Sequence, residues 1–149
     1  MKDILPGSSQ CLFNRNYPAE IAALPRIKSE VLDIARQSGW SGDNLGHLEL
    51  VLEEGAVNII NHAYPENNGE IVITLIAVEG GLILRLQDSG IPFDPASISV
   101  PSLDAVAEDR PMGGLGIHLM KSIADGIEYR RENDRNTLDI LLKSSCKDI

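Results

Sequence analysis

The stretch LGHLELVLEEGAVNIINHA, residues 45–63, decides how the rest of the chain is interpreted. When residues are placed about 100° apart on a helical wheel, one apolar stripe emerges, formed by Leu45, Leu48, Leu52, Ala56, Ile59 and Ala63. A separate polar strip, bordered by apolar residues, contains His47, Glu54, Asn58, Asn61 and His62. Glu49 and Glu53 lie at the edge of the apolar stripe, where we expect solvent. A plain surface helix does not need such a strip, so this helix is a candidate to carry a site.

Glu54 and Asn58 are four residues apart and therefore neighbours on the polar strip. A carboxylate and an amide carbonyl are oxygen ligands of the kind that Mg²⁺ prefers. The pair equally suits one metal ligand and one general base. A solvated polar face remains the alternative for this segment alone, and His62 is interpreted as a packing or capping residue.

The composition indicates one globular domain over residues 1–149, with a core at about 11–143. The net charge of −9 argues against non-specific binding to nucleic acid or an anionic membrane. Cys11 and Cys146 lack the spacing of a zinc site. The N-terminal residues lack a signal peptide pattern, and no apolar run approaches the roughly 20 residues of a membrane span. We therefore expect a cytoplasmic protein.

Periodicity and turn residues predict the elements. In chain order they are an edge strand at Cys11–Asn16, a helix at Ala19–Gln37 opened by Pro18 and kinked or divided at Pro25, a helix from Ser41 to about Ala63, strands at Glu70–Val78 and Leu82–Asp88, a long loop at 95–112, a helix at Leu115–Asp125, and strands at Gly126–Glu132 and Thr137–Lys143 around a turn at Asn133–Asn136. This order lacks the strict strand–helix alternation of a parallel sheet. It predicts an α+β, two-layer sandwich in which helices cover one face of a mostly antiparallel sheet.

Asp88 ends an otherwise apolar strand face formed by Leu82, Leu84 and Leu86. An aspartate in that position is expected to be partly buried and must find hydrogen-bond donors. It could accept a hydrogen bond from an adenine amino group, and Gly90 would let another group approach closely. The alternative is an ordinary Asp-Ser-Gly turn.

The segment Gly113-Gly114-Leu115-Gly116 leads into an amphipathic helix. Amide groups at a helix N-terminus form an anion site, and glycines admit phosphates to the backbone. The segment is not a Walker P-loop, and Leu119 stands where a dinucleotide fingerprint requires glycine. A flexible helix entry is the alternative.

The loop at 95–112 is long enough to be a functional lid. Arg110 is its only basic residue and lies next to the glycines. It could reach a γ-phosphate, or it could pair with Glu108 or Asp109 on the surface.

Together these segments resemble the GHKL family of gyrase, Hsp90, histidine kinases and MutL. EGAVNIINHAY (54–64) is similar to the N box of that family, DSGIPFD (88–94) to its G1 box and GGLGIHL (113–119) to its G2 box. The chain is most similar to the compact RsbW-like subfamily of bacterial anti-sigma-factor serine kinases. The likeness extends from about Cys11 to Lys143, although Gly55 stands where the family often has alanine.

This resemblance implies the Bergerat, histidine-kinase-like ATPase fold, with ATP and Mg²⁺ as cofactors. Asn58 would ligate Mg²⁺, Asp88 would hold the adenine amino group, the glycines at 113–116 would line the phosphates, and Glu54 would be the catalytic base. The implied partners are a STAS-type anti-sigma-factor antagonist, which is phosphorylated on serine, a sigma factor, which is sequestered, and a second copy of the chain.

Three other functions stay open. The chain could be an ATP-binding partner-switch module that transfers no phosphate, a histidine-kinase catalytic domain, or a fold relative that binds no nucleotide. The presence of Glu54 favours the kinase over the module. No helical hairpin with an acceptor histidine precedes the domain in this sequence.

Overall fold

The computed structural model describes residues 9–64, 68–92 and 114–144, and of residues 114–117 it describes the backbone alone. The elements in chain order are β1 (Ser9–Pro18), a 3-10 turn (Ile21–Ala23), α1 (Leu24–Gln37), α2 (Gly42–His62), β2 (Glu70–Val78), β3 (Gly81–Asp88), α3 (Gly114–Ile123), β4 (Gly126–Glu132) and β5 (Arg135–Lys143). The described strands form a five-stranded sheet in the order β1-β2-β3-β5-β4, and every neighbouring pair is antiparallel. The predicted α+β fold is confirmed.

The first helix begins later than the sequence pattern predicts. Pro18 is the last residue of β1 and does not open a helix, because the chain stays paired with β2 and the amide of Ala19 then donates to Gly69 O at 2.9 Å. Pro25 lies in the first turn of α1, where its missing amide N–H costs nothing. The prediction of a divided first turn is confirmed, since Ile21 lies in the separate 3-10 turn and is 56% exposed.

Helix α2 buries the stripe that the wheel predicts. Leu48, Leu52 and Ala56 are fully buried, and Ile59 and Ala63 are nearly so. Glu49 and Glu53 lie at the edge of the helix with about half of each side chain exposed, and both pair with Lys28 of α1, at 3.2 and 2.8 Å. The helix therefore joins α1 on one side and the sheet on another, and its predicted apolar and solvent faces are both correct.

The register of the sheet divides its side chains between two faces. On the helix-covered face, Leu86 of β3 lies between Ile73 of β2 and Leu138 of β5, and all three belong to the buried core under α1, α2 and α3. On the opposite face, Arg85 binds Asp139 with two hydrogen bonds of 2.7 and 2.9 Å. The sheet therefore separates an apolar core from an ion-paired outer row.

The second hairpin turns more tightly than predicted. Asn133 and Asp134 form its two-residue turn with φ values of 54° and 61°, a left-handed conformation that Asn and Asp tolerate well. The prediction of a turn through Asn136 is therefore wrong, because Asn136 is already paired within β5.

Helix α3 also ends at Ile123, two residues before the predicted Asp125. Within the described ranges, no helix is long and apolar enough to cross a bilayer.

Candidate functional site

A pocket opens between α2 and the ends of β3 and β5, next to the core. It holds about 340 Å³ when its open mouth is included, and it is lined by Gly55, Asn58, Ile59, Ala63, Leu86, Asp88, Tyr129, Asn136 and Leu138. Its mostly apolar lining with a few polar groups is typical of small-molecule sites. The fold thus brings Asn58 and Asp88, from two of the predicted segments, into one pocket.

Asn58 is buried without a partner for its side-chain oxygen. The residue is 6% exposed, and no group in the described parts of the chain donates a hydrogen bond to its Oδ1. A buried acceptor without a donor costs about 1–3 kcal/mol, so this oxygen is poised to receive a ligand from outside the protein. An amide oxygen is a ligand that Mg²⁺ accepts, and Asn58 therefore fits the predicted metal role.

Glu54 precedes Asn58 by one helical turn but is not among the residues that line the pocket. It is partly buried, and that burial, followed by the charge of Glu53, raises the pKa of the Glu54 carboxyl above its ordinary value. A carboxylate with a raised pKa is a better proton acceptor. A position outside the pocket lining suits contact with a second molecule more than contact with the pocket's own occupant.

Gly55 lies where α2 comes closest to β3. A Cβ atom at this position would overlap Cδ1 of Leu86, which lines the same pocket. The glycine therefore has a packing reason, although it lowers helix propensity by about 1 kcal/mol. Its absence of a side chain keeps space free beside the pocket.

The carboxylate of Asp88 is 5% exposed, and its two oxygens have different surroundings. Oδ1 accepts hydrogen bonds from the amide of Gly90 at 2.9 Å and from Nδ2 of Asn136 at 2.8 Å. Oδ2 receives no donor from the described residues. One oxygen thus anchors the side chain, and the other remains an acceptor for whatever enters the pocket.

The turn after Asp88 is docked against the C-terminal end of α2. The amide of Ile91 donates to Ala63 O at 2.8 Å, and Nη1 of Arg131 donates to Gly90 O at 2.7 Å. A side chain at position 90 would collide with the backbone carbonyl of Ala63. Gly90 therefore does not line the pocket but permits the close approach that holds its wall in place.

Sequence reasoning missed Asn136, Tyr129 and Arg131. Asn136 lies directly opposite Asp88 in the β3–β5 register, and Tyr129 and Arg131 of β4 both donate to its side-chain oxygen. The signal was present, because Asn136 and Leu138 are two residues apart and therefore lie on the same face of a strand. Assigning Asn136 to the turn concealed it.

The glycine segment is described only in part. Gly114, Leu115 and Gly116 form the first turn of α3, which packs against α2 and is anchored by the fully buried Met120. The segment therefore begins a helix, as predicted, next to the helix that carries Glu54 and Asn58. Outside the described residues lie Gly113, Arg110 and the predicted lid at 95–112. The ranges that are described contain no cluster of three or more His, Cys, Asp or Glu side chains able to hold a metal.

Comparisons with known proteins agree with this architecture. The serine-protein kinase RsbW of Bacillus cereus strain AH187 is 28% identical over 130 residues, a match that covers 81% of this chain and 78% of the relative. The RsbW protein of Bacillus thuringiensis strain Al Hakam matches to the same extent.

A solved structure shares the fold. The crystal structure of the RsbU and RsbW domains of a Mycobacterium tuberculosis protein matches with a TM-score of 0.61 at 12% identity. The match covers 88% of this chain and 32% of that longer chain. The model of the histidine kinase-like ATPase domain matches residues 17–142. The chain therefore belongs to the histidine kinase-like ATPase domain family and, within it, is similar to the RsbW serine-protein kinases.

Proposed function

We propose that the chain binds ATP with Mg²⁺ and transfers the γ-phosphoryl group to a serine of a partner protein. The observation that carries the proposal is the buried Oδ1 of Asn58, which has no donor among the described residues, in the same pocket as the Asp88 carboxylate. The described donors to that carboxylate bind its Oδ1. The Asn58 oxygen is a ligand for a cation, and the carboxylate is an acceptor for an amino group. A nucleotide that carries an amino purine and metal-bound phosphates meets both requirements.

Binding follows from the chemistry of the pocket. Asp88 would accept a hydrogen bond from the 6-amino group of adenine through Oδ2. Apolar side chains of Ile59, Leu86 and Leu138 line the same pocket and would contact the ring. Asn58 would hold Mg²⁺, which supplies positive charge to the phosphates when bound. The amides at the start of α3, with Gly113 and Arg110 before them, would receive phosphate oxygens.

Transfer requires a proton acceptor near the phosphates. Glu54 would take the proton of the serine hydroxyl as the serine oxygen bonds to the γ-phosphorus. The bond between that phosphorus and the β–γ bridging oxygen breaks, and ADP leaves with the electron pair. The raised pKa of Glu54 strengthens it as a base, and its partial exposure would let a protein substrate approach it.

The partners belong to the same proposal. From the sequence resemblance we propose a STAS-type anti-sigma-factor antagonist as the phosphorylated protein, a sigma factor as a second bound protein, a homodimer and a cytoplasmic location. Support comes from the similarity to proteins named serine-protein kinase RsbW. The net charge of −9 is consistent with protein partners and against nucleic acid.

The position of Glu54 outside the pocket lining also favours a second candidate, an ATP-binding switch module without phosphotransfer. Incubation with radiolabelled ATP and a co-encoded STAS protein separates the two. A kinase labels the STAS protein, Glu54→Gln abolishes labelling without loss of Mg-ATP binding, and Glu49→Gln, at a half-exposed glutamate of the same helix, leaves labelling intact. Binding without labelling supports the module. A thermal unfolding curve unchanged by millimolar Mg-ATP refutes both, since a ligand at about 100 times its Kd adds roughly 2.7 kcal/mol.

A further inference from the structure

We propose that Asn136, held by Tyr129 and Arg131, is a positioning residue that sets the orientation of the Asp88 carboxylate and so makes the pocket selective for a purine with a 6-amino group. The inference rests on the proposed function, because it requires a nucleotide base in the pocket. It adds a residue that the three sequence segments do not contain, and it explains how the acceptor is kept ready.

The side chain of Asn136 uses its full hydrogen-bonding capacity while only 4% exposed. Its Nδ2 donates to Asp88 Oδ1 and to Ile91 O, each at 2.8 Å. Its Oδ1 accepts from the hydroxyl of Tyr129 and, at 3.2 Å, from Nη1 of Arg131. An amide has two donors and two acceptor positions, so none is left over.

The partners of Asn136 also dictate which way its amide points. A carboxylate and a backbone carbonyl only accept, whereas a guanidinium only donates. Turning the amide over would place its single oxygen against two acceptors, Asp88 Oδ1 and Ile91 O, and its NH₂ group against the guanidinium of Arg131. The orientation therefore follows from the chemistry on both sides, and Asn136 cannot turn to serve a ligand.

This rigidity is passed to Asp88. The terminal torsion of an aspartate is broad, so a free carboxylate could present either oxygen or an intermediate orientation. Asn136 and the amide of Gly90 both bind the same oxygen, Oδ1, which leaves Oδ2 as the acceptor for a base. An ionised carboxylate oxygen cannot donate, so a 6-amino group is accepted and a 6-oxo group is opposed.

The test compares ATP with purine riboside triphosphate, which lacks only the 6-amino group. Dissociation constants of both Mg-nucleotides are measured by calorimetry for the wild type, Asn136→Leu and Tyr129→Phe. A hydrogen bond to a charged group is worth about tenfold or more in affinity. We expect Asn136→Leu to weaken ATP about tenfold and Tyr129→Phe to weaken it about threefold, while the affinity for the analogue changes less than twofold.

The matched control is Tyr17→Phe. It deletes a tyrosine hydroxyl that donates to Glu30, and neither residue lines the pocket, so it should leave both affinities unchanged. A residue with a merely structural role would weaken the two nucleotides equally, and that result overturns the inference. If Asn136→Leu does not fold, Tyr129→Phe decides alone, because it retains the ring in the pocket wall.

The wild type separates this inference from the proposed function. If it binds neither nucleotide, the proposed function fails and the inference fails with it. If it binds ATP and the analogue equally well, the proposed function stands and the selectivity assigned to Asp88 and Asn136 is wrong.

Discussion

Replacing Gly90 by alanine should damage the fold at one defined contact. The new methyl carbon would lie 2.6 Å from the carbonyl carbon and 2.7 Å from the Cβ of Ala63, and closer still to its carbonyl oxygen. Carbon atoms in favourable contact are about 3.5–4.0 Å apart. The turn after Asp88 must therefore withdraw from the C-terminal end of α2 by about 1 Å, because the obstacle is backbone and cannot rotate aside.

Two costs combine in this variant. Overpacking a tight contact costs about 1–3 kcal/mol. Withdrawal also lengthens the hydrogen bond from the Ile91 amide to Ala63 O, 2.8 Å in the structure, which is worth about 1 kcal/mol. We expect the free energy of unfolding to fall by about 3 kcal/mol, and the melting temperature by roughly 6–12 °C for a chain of this size.

Urea unfolding of Gly90→Ala beside Gly46→Ala measures the effect. Gly46 is an exposed glycine inside α2, and a Cβ there would meet no atom within 4 Å. The same substitution at that position should stabilise the protein by about 0.5–1 kcal/mol through helix propensity. If Gly90→Ala unfolds within about 0.5 kcal/mol of the wild type, the close packing of the turn against α2 does not exist and the description of the pocket wall is wrong.

Three further predictions concern the site and the sheet. Asp88→Asn should keep its bonds to the protein but turn an NH₂ group toward the pocket, so calorimetry should find ATP affinity reduced about tenfold or more; unchanged affinity would remove Asp88 from base recognition. Because the folded state holds the Glu54 proton more tightly than the unfolded state does, the wild type should lose stability relative to Glu54→Gln as pH rises from about 4.3 to the raised pKa. The rate of phosphoryl transfer should increase with pH over the same window. The prediction is contradicted if the unfolding free energies of the wild type and Glu54→Gln change equally with pH, or if the pH–rate profile is flat. Arg85→Met should cost about 3 kcal/mol in urea unfolding, because Asp139 is fully buried and, among the described side chains, would keep its 3.2 Å bond to Arg130 alone. It should leave ATP binding intact, and a loss of ATP affinity would show that the two faces of the sheet are coupled.

Local sequence patterns were sufficient to predict most of the helices and strands. The wheel positions of α2 correctly separated its buried stripe from Glu49 and Glu53, since burial on a helix depends mainly on the 3.6-residue period. The period of two placed Asp88 on the apolar face of β3, where it is buried. Errors occurred where two local preferences competed, as at Pro18, which suits either a helix start or the end of an edge strand, and pairing with β2 decided between them.

The sequence by itself singled out Glu54, Asn58 and Asp88 as candidates, because their chemical types and their places on periodic elements can be read locally. The roles proposed for them came from the resemblance of the three segments to the GHKL boxes. Only the tertiary structure decided which groups meet them. Asn136 reaches Asp88 because β5 lies beside β3, and Tyr129 reaches Asn136 because β4 lies beside β5. This register depends on hairpin geometry and on the order of strands across the sheet. The same packing left Oδ1 of Asn58 without a donor among the described residues and pressed Gly90 against Ala63. Both features arise between segments that are distant in the chain.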